Sequence, residues 1–392
     1  MVESITILGS TGSIGTQALD VCRRYRVAVH GLAAARNSRL MLEQIEEFKP
    51  EIAVLTDPQA ADELRVAVSS KGLTTRIFSG DEAVAKLAAE TTAEMVLCAM
   101  VGMAGLVPVV AALEAGHEIA LANKEALVTG GQLVMNLARK KNLRIRPVDS
   151  EHSAIWQCLA TGNKRELRKV WLTASGGPFR GLTLKEMETV TRAEALSHPT
   201  WEMGAKISID SATMMNKGLE LIEACWLFDL PPQMIEYLVH PQSIIHSMVE
   251  WRDGSVIAQL GHADMRLPIQ IALAWPERLP APERVFNPFA AEAAQLTFFP
   301  PDTENFPCLK LCRAAMKFGG LMPTVLNAAN EVAVAAFLEE KIRFTSIHRL
   351  IETCMDLCAS GLSNDCSLSA ILAADALARR TTAKLLKDEN AL

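Results

Sequence analysis

SITILGSTGSIG, Ser4–Gly15, is the stretch that decides the fold. A short β-type run, Ser4–Leu8, passes directly into Gly9-Ser10-Thr11-Gly12-Ser13-Ile14-Gly15. Ala18, Leu19, Val21 and Cys22 then mark the apolar side of an amphipathic helix. A strand, a glycine-rich turn and a helix start leave free backbone N–H groups aimed at one point, which suits a pyrophosphate. The spacing is G-x-x-G-x-x-G rather than the commoner G-x-G-x-x-G, so a tight structural turn is the plain alternative.

The next strand narrows the ligand. Val27–Ala34 reads as β and ends in Ala35-Arg36-Asn37-Ser38. An NAD site usually carries an acidic residue there for the ribose 2′-hydroxyl, but here no acid appears before Glu43. A guanidinium at Arg36 suits a 2′-phosphate and a carboxylate would repel one, so the expectation is NADP(H). Further strands are expected at 52–55, 95–98, 118–122 and 143–148, with helical segments between them. That alternation predicts an α/β fold with an N-terminal Rossmann-like, doubly wound parallel sheet.

Composition excludes several classes. The 392 residues are 49% hydrophobic and 21% charged, and 45 acidic against 39 basic side chains leave a net charge of −6. No basic cluster marks a nucleic-acid groove, and no apolar run is long enough for a membrane span. The start, MVESITILGS, lacks the basic and apolar regions of a secretory signal. Nine scattered cysteines point to free thiols and a cytoplasmic protein. Cys308/Cys312 and Cys354/Cys358 each share a helix face without a histidine to complete a zinc pattern, so buried core thiols are expected. His240 and His246 are read as structural for the same reason.

Two polar clusters fall at strand ends, where such sheets bind ligands: Asn123-Lys124-Glu125 and Asp149-Ser150-Glu151. In an extended segment Asp149 and Glu151 leave on one side, and two facing carboxylates call for a proton or a cation. Oxygen ligands with open positions suit Mg²⁺ or Mn²⁺. The competing reading is a helix start, with Asp149 or Ser150 as cap and Glu151 in the first turn. Ser208–Glu220 is the most concentrated polar stretch, and on a helix Asn216, Lys217 and Glu220 meet on one face. An exposed salt bridge is the bland account of that trio. A strand at Leu172–Ala174 runs into Ser175-Gly176-Gly177, and His198-Pro199-Thr200-Trp201-Glu202-Met203-Gly204 closes what reads as a lid.

GSTGSIG, LANKE, VDSEHSAI, TASGGPF, HPTWEMGAKISIDSATMMNKGLE and VLNAANEVAVAAFL, in this order, resemble the 1-deoxy-D-xylulose-5-phosphate reductoisomerase family. The resemblance implies Asp149, Glu151 and Glu220 as ligands of Mg²⁺ or Mn²⁺, and Lys124, Asp149, Glu151, His198 and Glu220 as catalytic residues. It implies substrate contacts from Lys124, Ser150, Glu151, Ser175, His198, Trp201, Met203, Ser211, Asn216, Lys217 and Glu220, with Ser175, Ser211, Asn216 and Lys217 on the phosphate. NADPH contacts would fall on Thr11, Gly12, Ser13, Ile14, Ala35, Arg36, Asn37, Asn123, Glu125 and Gly204. The family often has Gly-Lys-Asn where this chain has Ala35-Arg36-Asn37, so the cation is kept and the turn differs.

The expected organisation is 1–149 for the cofactor and 150–274 for catalysis, metal and dimerisation, with a mobile loop at 175–205. A proline-rich linker at 275–307 and a helical bundle at 308–392 complete it. Strands are expected at 236–239 and 255–260 in the α+β catalytic domain, and the family implies a homodimer. Two rival readings explain less. A metal-independent NADP dehydrogenase leaves three carboxylates without a joint purpose, and a nucleotide-sensing module predicts binding without turnover.

Overall fold

A computed structural model describes residues 1–201, 203–281 and 285–389. The chain forms two units interleaved along the sequence. The first comprises Met1–Ala126, Val134–Ser153 and Asp264–Arg284, and the second Leu127–Leu133, Ala154–Ala263 and Val285–Leu392.

In the first unit β1 (Ser4–Leu8), α1 (Ser13–Tyr25), β2 (Ala28–Ala34), α2 (Ser38–Phe48), β3 (Ile52–Leu55) and α3 (Pro58–Ser70) alternate. β4 (Arg76–Ser79), α4 (Asp81–Glu90), β5 (Met95–Cys98), α5 (Leu106–Ala115) and β6 (Glu118–Leu121) continue the pattern. α6 (Glu125–Lys141), β7 (Ile145–Pro147) and α7 (Ser150–Leu159) follow. The seven strands are all parallel, in the order β4-β3-β2-β1-β5-β6-β7. β1 and β5 are wholly buried, as strands covered on both faces must be. β4 escapes the sequence reading because only Ile77 of its four residues is buried, the profile of an edge.

The direction of winding reverses between β1 and β5, and the reversal opens a crevice beyond their C-terminal ends. Gly9 sits there at φ +91°, and a Cβ on it would lie 2.5 Å from the Ala99 carbonyl oxygen after β5. A Cβ on Gly15 would lie 2.2 Å from the Gly9 carbonyl oxygen, so the turn and the first helical turn close on each other only without side chains.

The second unit is built on β8 (Leu167–Ala174), α8 (Arg192–Leu196), α9 (Ala205–Ala212), α10 (Met215–Leu227), β9 (Ile235–Val239), β10 (Ile245–Trp251) and β11 (Val256–Leu260). Its sheet runs β11-β10-β8-β9, with β8 and β9 parallel and the other pairs antiparallel. β10 is absent from the sequence reading, because His246, Ser247 and Glu250 break its apolar alternation. Its place between β8 and β11 comes from pairing, with Val249 opposite both Val170 and Ile257. α11 (Arg266–Ala274) returns to the first unit.

α12 (Cys308–Phe318), α13 (Met322–Leu338), α14 (Ser346–Ala359) and α15 (Leu368–Glu389) form the C-terminal helices. One core joins β8 and β9 to α10 and these helices, through Val170, Tyr237, Leu219, Ile222, Val325 and Ile351. α12 presses on α10 at Gly218, where a Cβ would come 2.4 Å from the Cys312 sulfur. Cys308, Cys312, Cys354 and Cys358 are buried core thiols, and burial pushes Cys308 up to about 12. No helix among the described residues is long and apolar enough to cross a membrane.

Candidate functional site

The N-terminus of α1 is open. Gly12 occupies the cap position with extended backbone and no side chain caps the helix, so the first N–H groups are free for a ligand. Gly12 and Ser13 are exposed, with Thr11 and Ile14 partly so. At the end of β2 the exposed Arg36 makes no ion pair with a described residue. Asn37 instead holds the chain in place, its side chain accepting from Leu40 N at 3.1 Å to cap α2.

Asn123 and Glu125 are committed inward. Asn123 is 1% exposed; its amide nitrogen donates to the carbonyls of Met100 and Gly102, both at 2.9 Å, and to Glu125 Oε2 at 3.0 Å. Its oxygen accepts from Ala126 N, and Gly105 has no room for a Cβ beside it. In this structure, therefore, these two residues shape the loop after β6 with their side chains.

Lys124, between them, reaches Asp149, with Nζ 2.9 Å from Oδ2 and both side chains almost buried. The expectation of an extended Asp149–Glu151 segment is corrected here, since Ser150 and Glu151 already belong to α7. Asp149 is its cap: the carbonyl accepts from Ser153 N at 2.8 Å and Oδ1 from Glu151 N at 3.1 Å. Helix N-termini leave N–H groups that need acceptors, and a carboxylate there also meets the positive end of the helix dipole. The capping role and a ligand role are compatible, because Oδ2 projects to the lysine and not to the helix. Ser150 Oγ donates to Glu151 Oε2. The sequence reading assigned nothing to His152, which is fully buried with Nδ1 3.2 Å from Asp149 Oδ1. Its signal was the i,i+3 spacing from Asp149, visible only once the segment is read as a helix.

In the second unit the expected trio meets on α10. Asn216 Nδ2 donates to Glu220 Oε1 at 2.5 Å, and Lys217 Nζ donates to Oε2. Lys217 and Glu220 are 6% and 1% exposed in their side chains, so this is a buried pair and not a solvated one. Left-handed Met214 (φ +60°) separates α9 from α10 and places Ser211 just before the turn.

Ser175 and His198 also come together. His198 Nε2 lies 3.0 Å from Ser175 Oγ, while His198 Nδ1 accepts from the backbone N–H of Thr200 and Trp201 at 3.2 and 2.9 Å. Two fixed donors on Nδ1 place the proton of neutral His198 on Nε2, which therefore donates to Ser175. Burial, aided by the charge of Lys217, lowers the His198 pKa and favours that neutral form. Gly177 N also donates to Ser175 Oγ, at 3.2 Å. With its lone pairs engaged, the Ser175 hydroxyl has its own proton free to give to an anion. Gly177, at φ +69°, leaves only 2.6 Å between a Cβ and the Ser211 carbonyl oxygen, which brings the two serine segments together. The Trp201 ring is half-buried and 6.1 Å from that of His246. Met203 is half-buried, and Gly204 caps α9 with extended backbone. Glu202 lies outside the described residues. His240 has both ring nitrogens engaged, Nδ1 with the Thr297 carbonyl and Nε2 with Ile244 N.

Three family models match most of the chain. The model of 1-deoxy-D-xylulose 5-phosphate reductoisomerase matches residues 5–131, that of its C-terminal domain residues 145–228, and that of the DXP reductoisomerase C-terminal domain residues 260–381. The 1-deoxy-D-xylulose 5-phosphate reductoisomerase of Thermosynechococcus vestitus is 48% identical across 98% of this chain and 93% of its own length. That of Chlorobaculum tepidum is 49% identical across 98% and 100%. Among solved structures, the reductoisomerase of Zymomonas mobilis in complex with NADPH is 43% identical with a TM-score of 0.90, covering 98% of this chain and 99% of that one. A DOX-P reductoisomerase in complex with NADPH, fosmidomycin and magnesium is 41% identical with a TM-score of 0.93, covering 98% of each.

Proposed function

The chain belongs to the 1-deoxy-D-xylulose 5-phosphate reductoisomerase family, and from that premise we propose that it rearranges and reduces 1-deoxy-D-xylulose 5-phosphate to 2-C-methyl-D-erythritol 4-phosphate with NADPH. The observation that carries the reading is the second unit's cluster of half-buried Asn216 with buried Lys217 and Glu220 on one helix face. It sets a cation and an amide beside a carboxylate, which is what a sugar phosphate held next to a metal requires.

Asp149, Glu151 and Glu220 would hold Mg²⁺ or Mn²⁺; their donor set is all oxygen, as hard divalent ions prefer. The ion would supply Lewis acidity at the substrate carbonyl and its neighbouring hydroxyl. The chain's own groups do the rest. Lys124, held by Asp149, carries the positive charge that favours enolate character as the carbon–carbon bond is cleaved and remade. Ser175 donates a hydrogen bond to the phosphate through its free O–H, with Ser211, Asn216 and Lys217 as further donors. His198 sets the direction of that O–H and ties down the backbone of Thr200 and Trp201. The Trp201 indole then excludes water from the aldehyde until hydride arrives.

The backbone at Thr11–Ile14 would receive the cofactor's pyrophosphate and Arg36 its 2′-phosphate. The compact side chains of Asn123 and Glu125 would act by shaping the loop beside it. Residues 175–205 would serve as the lid, with Met203 and Gly204 at its closing end. Ser150 would reach the substrate from the first turn of α7. A homodimer fits the half-exposed apolar residues Val256, Ile257 and Leu260 on the edge strand β11. Nine free cysteines fit a reducing cytoplasm. The test is NADPH consumption with 1-deoxy-D-xylulose 5-phosphate and identification of the product by NMR. Consumption without a branched product would reduce the protein to an ordinary dehydrogenase.

A further inference from the structure

α9 runs from Ala205 to Ala212; no side chain caps its N-terminus at Gly204, while Thr213 closes its C-terminus. Its anchor is Asp210, which is 1% exposed. A carboxylate taken that far out of water must find a partner for each oxygen. Oδ2 has Lys206 Nζ at 2.8 Å on the same helix. Oδ1 accepts from Asn330 Nδ2 at 2.8 Å, 120 residues away on α13. Asn330 is fully buried, and its own Oδ1 has no partner among the described residues. The site therefore uses the asparagine as a donor and tolerates an unpaired amide oxygen to keep it. α13 is fastened in turn to α15, because Asn327 donates to Glu331 Oε1 and Arg379 bridges Glu331 and Asp375.

We propose that Asn330 is a positioning residue for the substrate phosphate: its hydrogen bond to buried Asp210 fixes α9, and with it Ser211 and the turn leading to Asn216 and Lys217. The inference rests on the reading of those residues as the phosphate site. It gives the C-terminal helices a direct part in binding, through a residue that touches neither substrate nor cofactor.

Steady-state kinetics and the binding of inorganic phosphate to the metal-loaded enzyme test it together. Asn330→Ala is expected to raise the KM for the sugar phosphate and the Kd for phosphate about tenfold, the scale of one hydrogen bond to a buried charge. The KM for NADPH and kcat should stay within about twofold. Asn330→Asp sets a second carboxylate against Asp210, so its defect should be larger near pH 8 than near pH 6, a pH dependence that simple loss of packing does not produce. Should both variants fail to fold, Lys206→Gln removes the other partner from a more accessible position and should weaken phosphate binding about threefold. Unchanged phosphate affinity in the variant that folds, or an equal rise in the KM for NADPH, overturns the proposal. A wild type that binds phosphate but does not turn over the sugar phosphate overturns the assigned activity alone, and the phosphate measurements still decide the role of Asn330.

Discussion

The two units build their proposed ligand sites by opposite means. The first offers backbone: Gly9 and Gly15 let a strand end and a helix start close to within a distance no side chain permits, and the N–H groups of α1 are left uncapped. The second offers side chains whose charges are already matched, Lys217 and Asn216 on Glu220, Lys206 and Asn330 on Asp210. The lesson is energetic. Uncapped N–H groups near a surface are solvated at little cost, whereas a buried carboxylate needs partners before any ligand arrives. At the sites proposed for them, a pyrophosphate would need only to replace water, whereas a sugar phosphate with its cation would share partners that are already engaged.

The sharpest way to break the contrast is Glu220→Gln. With the charge gone, kcat/KM should fall about a thousandfold while NADPH affinity stays within about twofold, read by NADPH oxidation and fluorescence titration. A parallel loss of NADPH affinity would mean that the side chains of the second unit also build the cofactor site. Next in size is Gly9→Ala, which sets a Cβ against the Ala99 carbonyl and forces a residue with a side chain to φ +91°. It should cost about 3 kcal/mol of stability in a urea titration. A near-neutral result would show that the turn yields easily.

Smaller still is an effect of pH. His246 is buried, and burial lowers its pKa from 6.5 to about 4. Between those values the unfolded chain binds the proton and the folded one does not, so the stability is complete above 6.5 and declines as pH falls toward 4. About 2 kcal/mol should be gone by about pH 5, and His246→Asn should lose much of that dependence. The smallest change expected is in cofactor choice. Arg36→Asp should move the ratio of kcat/KM for NADPH over NADH about tenfold toward NADH, and no movement would remove Arg36 from the 2′-phosphate.

Legibility in the sequence follows the same division. The first unit was readable because a parallel sheet buried on both faces writes continuous apolar runs, and because its glycines mark backbone that must come close. Its one missing strand, β4, buries a single residue. In the second unit β10 was invisible because polar residues break its apolar run; one of them, Glu250, accepts from Trp171 Nε1 on β8 at 3.1 Å, a partner that only the sheet pairing supplies. PVDSEHSAI carried two readings, strand-end ligand pair and helix cap. The structure gives the cap, with Lys124 on the outer oxygen of Asp149 to show that capping does not consume the carboxylate. Helical spacing alone brought Asn216, Lys217 and Glu220 together correctly. The link from Asp210 to Asn330 crosses 120 residues, and no local pattern records it.

The most direct test of the account separates the two preparations in one sample. After divalent ions are removed with a chelator, NADPH should bind with unchanged affinity while 1-deoxy-D-xylulose 5-phosphate is no longer turned over, and added Mg²⁺ or Mn²⁺ should restore turnover. Undiminished turnover in the chelator, or loss of NADPH binding together with the metal, would contradict it.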